Sequence, residues 1–188
     1  MLRSPINSLA FFVSSLLLLS LQFSAPACAD NPPPGYKHIQ GLQKFIGSWE
    51  SEFDPPGAMP KGDLRIEFEW MGNKSYLASK VLFRHSSFPA GKHMNPETLI
   101  VGYNKKEAET KAWFFKFTDQ GQASAGITPG KLVVRQQEGK RGQEGYRMQQ
   151  KTYELIDNNT MSITTISETN SNEPTADPPL TLKRQDKH

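Results

Sequence analysis

Few side chains in this sequence stand at spacings that support chemistry. The chain has four histidines: His38, His85, His93 and His188. His85 and His93 flank the segment Ser86-Ser87-Phe88-Pro89-Ala90-Gly91-Lys92. A metal pair needs closer ligands on a regular element, or a carboxylate between them, so both read as solvated histidines on a loop at the mouth of the domain. Ser124 lies in Gly121-Gln122-Ala123-Ser124-Ala125-Gly126, one residue out of register with the G-x-S-x-G nucleophile elbow and without its strand-then-helix setting. Glu67 and Glu69 share one face of a strand, but it is the face opposite the apolar residues, where water keeps both ionised. The chain has no P-loop, dinucleotide fingerprint or HExxH. No catalytic residue, metal ligand or cofactor is assigned, and binding is favoured over catalysis.

What remains is aromatic. Phe68, Trp70, Tyr76, Tyr103, Trp113, Phe115, Tyr146 and Tyr153 all fall on expected strands. Plain core packing accounts for such a set. The functional reading is that residues among Phe68, Trp70, Tyr76, Tyr103, Trp113, Phe115 and Tyr146 line a mostly apolar pocket, with Arg147 or a Tyr hydroxyl at its mouth.

The elements that would position them are strands. Leu64, Ile66, Phe68 and Trp70 alternate with Asp63, Arg65, Glu67 and Glu69, a period of two that gives one dry and one wet face. Met71-Gly72-Asn73 supplies a turn, because Gly and Asn tolerate positive φ, and Tyr76 to Arg84 returns as the partner strand. Further strands are expected at 48–53, 99–103, 110–118, 123–127, 131–136, 146–155, 160–167 and 180–183, with one short helix near 39–45 and a long loop at 170–179. The fold class is all-β: an antiparallel meander of about nine or ten strands, closed into a barrel because closure removes the exposed edges, with a two-sheet sandwich as the alternative. A barrel of that size is wider than its wall side chains fill easily, which links the pattern to ligand binding.

The first residues read as an export signal. Arg3 precedes an apolar stretch from Leu9 to Leu21, and Ala27-Cys28-Ala29 fits a cleavage site after Ala29. Cleavage there would leave 188 − 29 = 159 residues with no cysteine and no transmembrane segment, in a secreted or periplasmic location. It would also remove Arg3, lowering the formal charge from +3 to 21 − 19 = +2, which is no nucleic-acid footprint. Lipidation at Cys28 is disfavoured, since Ala25 stands where that signal takes Leu. Residues 30–36, with Pro32-Pro33-Pro34, form a spacer, and 37–188 form one domain.

The segment Leu42-Gln43-Lys44-Phe45-Ile46-Gly47-Ser48-Trp49-Glu50 resembles the start of calycin-type barrels, where a short helix leads into G-x-W on the first strand. Gly47 and Trp49 match. Glu69-Trp70 with Gly72, Gly102-Tyr103-Asn104, Trp113 with Phe115 and Phe117, Asp119-Gln120-Gly121, and Gly130-Lys131-Leu132 follow in the order of a bacterial lipocalin-like family, domain of unknown function 1579. The resemblance spans nearly the whole mature chain. It implies the barrel fold, with Gly47 and Trp49 as its structural start, but no activity. The related nitrobindin-like haem proteins use a late histidine on iron. The last histidine here is His188, and the glycines that follow the Trp in that group are missing, so haem is not expected.

Overall fold

The computed structural model describes residues 32–53, 62–85, 89, 92–117, 119–170 and 172–185. The expected signal with Cys28, most of the segment between His85 and His93, and His188 lie outside the described residues.

The domain starts with a single turn of α-helix, α1 (Tyr36–Ile39), which runs into a 3-10 helix (Gln40–Phe45). Eleven strands follow: β1 (Gly47–Phe53), β2 (Gly62–Met71), β3 (Tyr76–His85), β4 (Met94–Asn104), β5 (Glu109–Lys116), β6 (Gln120–Thr128), β7 (Lys131–Glu138), β8 (Arg147–Leu155), β9 (Thr160–Thr169), β10 (Asn172–Ala176) and β11 (Leu180–Gln185). Each strand from β1 to β9 pairs antiparallel with the next. β9 then pairs with β11 and β11 with β1, so ten strands close a barrel and β10 stands outside the ring. The all-β barrel expected from the strand pattern is therefore present.

The β2–β3 hairpin shows why the pattern was readable. Its register sets Ile66 opposite Val81, Phe68 opposite Ser79 and Trp70 opposite Leu77, all inward. Ile66, Phe68 and Leu77 are buried, while Glu69 pairs with Lys80 at 2.6 Å on the outside.

Two segments differ from expectation. The helical region is a four-residue α-turn plus a 3-10 helix instead of one helix over 39–45. The loop expected at 170–179 contains β10. β11 pairs only with the first half of β9, Thr160–Ile163, and would leave the outer edge of the second half bare. β10 covers that edge opposite Ile166–Thr169, with one register shift, and places Pro174 on an edge strand where a missing N–H costs little.

The core sits at one end of the barrel. Ile39, Leu42 and Phe45 from the helical segment plug that end against Trp49, Phe68, Leu77, Val101, Leu132, Tyr153, Met161 and Leu182. The Trp49 indole N–H donates to the Phe45 carbonyl at 2.8 Å. Gly47 turns the chain from plug to wall at φ 131°, a region that side chains avoid, and a Cβ there would lie 2.9 Å from the Arg184 guanidinium. Arg184 is stacked on the Trp49 ring at 4.1 Å. Its guanidinium donates to the carbonyls of Lys44, Ile46 and Asn158. The Gly47–Trp49 start is thus tied to the last strand at the seam where β11 meets β1.

Candidate functional site

The inward side chains change character from the plugged end to the open end. Across β7, β8 and β9 the register stacks them in rows. Leu132, Tyr153 and Ile163 form an apolar row against the plug. Val134, Lys151 and Thr165 come next, then Gln136, Gln149 and Ser167, and last Glu138, Arg147 and Thr169 at the open rim. On the opposite wall Leu99 faces Phe114, and one row further out Glu97 faces Lys116.

These rows enclose a narrow pocket lined by Glu97, Leu99, Phe114, Lys116, Val134, Gln136, Gln149, Lys151 and Tyr153. Its open volume is about 20 Å³, roughly the room of one water. Above it the barrel opens into a wider mouth of about 250 Å³, whose lining includes Lys116, Asp119, Gln136, Glu138, Arg147, Gln149 and Ser167. Leu99, Phe114 and Val134 form an apolar floor, and Gly121 admits the Phe114 ring, which a Cβ there would strike.

Electrostatics dominate the level above that floor. The Lys151 ammonium donates to Glu97 at 2.7 Å, with their side chains only 25% and 15% exposed. Burial pulls the Lys151 pKa down, but the Glu97 carboxylate and the hydrogen bonds of Glu97 and Tyr153 outweigh it, and the net direction is upward. Burial likewise pushes the Tyr153 phenol up, against the lowering effect of Lys151, so Tyr153 is a neutral hydrogen-bond donor at physiological pH. Lys116 makes no ion pair among the described residues, and its ammonium lies 5.0 Å from the centre of the Phe114 ring. A charged pair in the interior stabilises a fold poorly compared with apolar packing. The arrangement offers hydrogen-bond donors from Lys116, Lys151, Tyr153 and two glutamines to an acceptor group entering from the mouth. No group of three or more His, Cys, Asp or Glu converges among the described residues.

Of the residues singled out in the sequence, Tyr76, Tyr103 and Trp113 line one shallow cavity beside Pro33 and Pro34, with the Tyr76 and Trp113 rings edge-on at 6.2 Å, and the others lie apart from it. Phe68 is buried in the core, edge-on to Tyr153 at 5.8 Å. Trp70 and Tyr103 face inward at the plugged end. The Trp70 indole donates to Gln43 at 2.8 Å, and Tyr103 stacks on His38 at 3.7 Å. Tyr76, Trp113 and Phe115 point outward, since their register partners Gly102, Ile100 and Thr98 alternate with the inward Leu99 and Val101. Tyr76 covers Gly102, where a Cβ would run into its ring. Tyr146 is buried just before β8, beside the turn that holds Gly139. Arg147 alone of this set lines the mouth.

Glu97, Lys116, Gln136, Gln149 and Lys151 were not singled out. Parity places them only once the register shows Tyr153 and Leu99 to be inward: Lys151 and Gln149 are in phase with Tyr153, and Glu97 is in phase with Leu99. A scan of the chain against protein-family models finds no match, and a search of curated proteins finds none either.

Proposed function

We propose that the chain is an exported, lipocalin-like binding protein that takes a small amphipathic molecule through the open end of its barrel. The observation that carries this reading is the polar, charged lining of the open half, directly above an apolar floor. A barrel selected for stability alone would fill that space with apolar side chains, because inward charges cost desolvation free energy. The G-x-W start and the order of motifs like those of domain of unknown function 1579 support the lipocalin-like assignment, and the n-region, apolar run and small residues before Asp30 support export.

A second reading, an interaction module of the cell envelope, draws on the outward aromatic residues, with Phe115 46% and Phe117 67% exposed. Native mass spectrometry of the protein purified from its own host separates the two. A co-purifying small molecule, released on collisional activation, is the expected result. A bare chain, whose amide spectrum also stays unchanged when the host's small-molecule extract is added, would refute the binding reading. An absorbance scan of the same sample tests for haem.

A further inference from the structure

We infer that the deep pocket selects a small organic monoanion, and that Lys116 is the residue that receives its charge. This deepens the small-molecule reading above and rests on it.

The argument is one of charge balance at a single level of the barrel. Glu97, Lys116 and Lys151 are the charged side chains of the pocket lining. Glu97 and Lys151 neutralise each other at 2.7 Å. Lys116 is the cross-strand partner of Glu97, yet it forms no ion pair among the described residues. Its ammonium is instead placed near the Phe114 face, over the apolar floor. The pocket therefore carries one uncompensated positive charge at its deepest polar level. The other polar groups at this level are the Gln136 and Gln149 amides and the Tyr153 hydroxyl, each able to donate to an anion.

The mouth above does not repeat this excess. Arg147 faces Glu138 across the β7–β8 register, Arg141 holds Glu168 at 3.1 Å, and Asp119 lies on the same rim. A cation entering past this rim would meet Lys116 and Lys151. A neutral molecule would leave Lys116 without a counter-charge. A monoanion balances Lys116 at its own level, beneath the rim on which Asp119 lies.

Size narrows the class further. The deep space has room for about one water, so only an anionic oxygen reaches it, while the rest of the ligand occupies the wider mouth, which Lys116, Gln136 and Gln149 also line. The occupant is thus a compact carboxylate-like anion and not a long-chain lipid.

Benzoate, benzamide and benzamidine test this, because they share a shape and differ in charge. The chain as processed by its host, labelled with 15N, is titrated with each and followed by its amide spectrum. Benzoate should give saturable shifts at Lys116, Lys151 and Gln149. It should bind about tenfold or more tightly than benzamide, the value of one charge-assisted hydrogen bond in a shielded site. Lys116→Gln should bring benzoate down to the affinity of benzamide, and Lys116→Arg should keep the preference. The spread of amide resonances reports whether each variant is folded. Equal binding of benzoate and benzamide, or tighter binding of benzamidine, overturns the anion assignment and leaves the small-molecule reading standing. Absence of saturable shifts with all three overturns both.

Discussion

Replacing Arg184 with Met tests how the barrel is held shut. β11 meets β1 over only three residue pairs, Ser48 to Glu50. At that seam the Arg184 guanidinium donates to Ile46 and Lys44 at 2.6 Å each, donates to Asn158 at 2.8 Å, and covers the Trp49 ring. Methionine keeps much of the apolar stem and removes every donor. The Ile46 bond is partly shielded and is assigned about 2 kcal/mol; the two bonds open to water contribute about 0.5 kcal/mol each. The stacking on Trp49 adds about 0.5 kcal/mol. The expected loss is therefore about 3.5 kcal/mol, a large part of the stability of a typical domain. Urea unfolding followed by tryptophan fluorescence should show a midpoint roughly 1.5–2 M lower with an unchanged slope. Arg184→Lys should fall between the two, because one ammonium cannot reach three carbonyls at once. A loss under about 1 kcal/mol for Arg184→Met would refute the view that this side chain ties the plug to the last strand.

The interior charges give two further tests. Lys151→Met strands the Glu97 carboxylate. With both side chains partly open to the mouth, the cost should be about 2 kcal/mol, and adding Glu97→Gln should recover at least half of it in the same urea assay. A single variant within 0.5 kcal/mol of the parent would sink this account. The second test is alkaline. Tyr153 and Lys151 both have raised pKa values, so the folded state keeps protons that the unfolded chain releases. Their contribution is fully present below about pH 10 and fades as pH rises through the folded values, so stability should fall in that window. Of the five tyrosines, Tyr153 should ionise only as the protein unfolds, seen as a late absorbance step near the circular dichroism transition. Tyr153→Phe should abolish that step. Reversible ionisation of all the tyrosines before unfolding would contradict the burial argument.

Much of the fold was legible because one wall of the barrel writes itself in alternation. In β2 every inward residue is apolar and every neighbour from Asp63 to Glu69 is charged, so period and face read together. The G-x-W start is local too: Gly47 is demanded by its own φ, and Trp49 by the adjoining plug. The site was not legible for the complementary reason. In β8, Arg147 to Thr152 is polar or flexible on both faces, so alternation says nothing about which side chains point inward. Only the register that places Lys151 opposite Val134 and Thr165 does so. The outward course of Tyr76, Trp113 and Phe115 has the same origin: β5 carries aromatic residues on both faces, and Phe114 alone of its Trp113-Phe114-Phe115 run turns inward, opposite Leu99.

By itself, then, the sequence determined a strand-rich chain, the turns that join its hairpins, and the short helical lead into Gly47 and Trp49, because these depend on near neighbours. The tertiary structure decided that β11 meets β1, that Arg184 reaches back to Ile46, and that Lys151 of β8 reaches Glu97 of β4. These are contacts between residues far apart in the chain, and closure of the barrel alone brings them together.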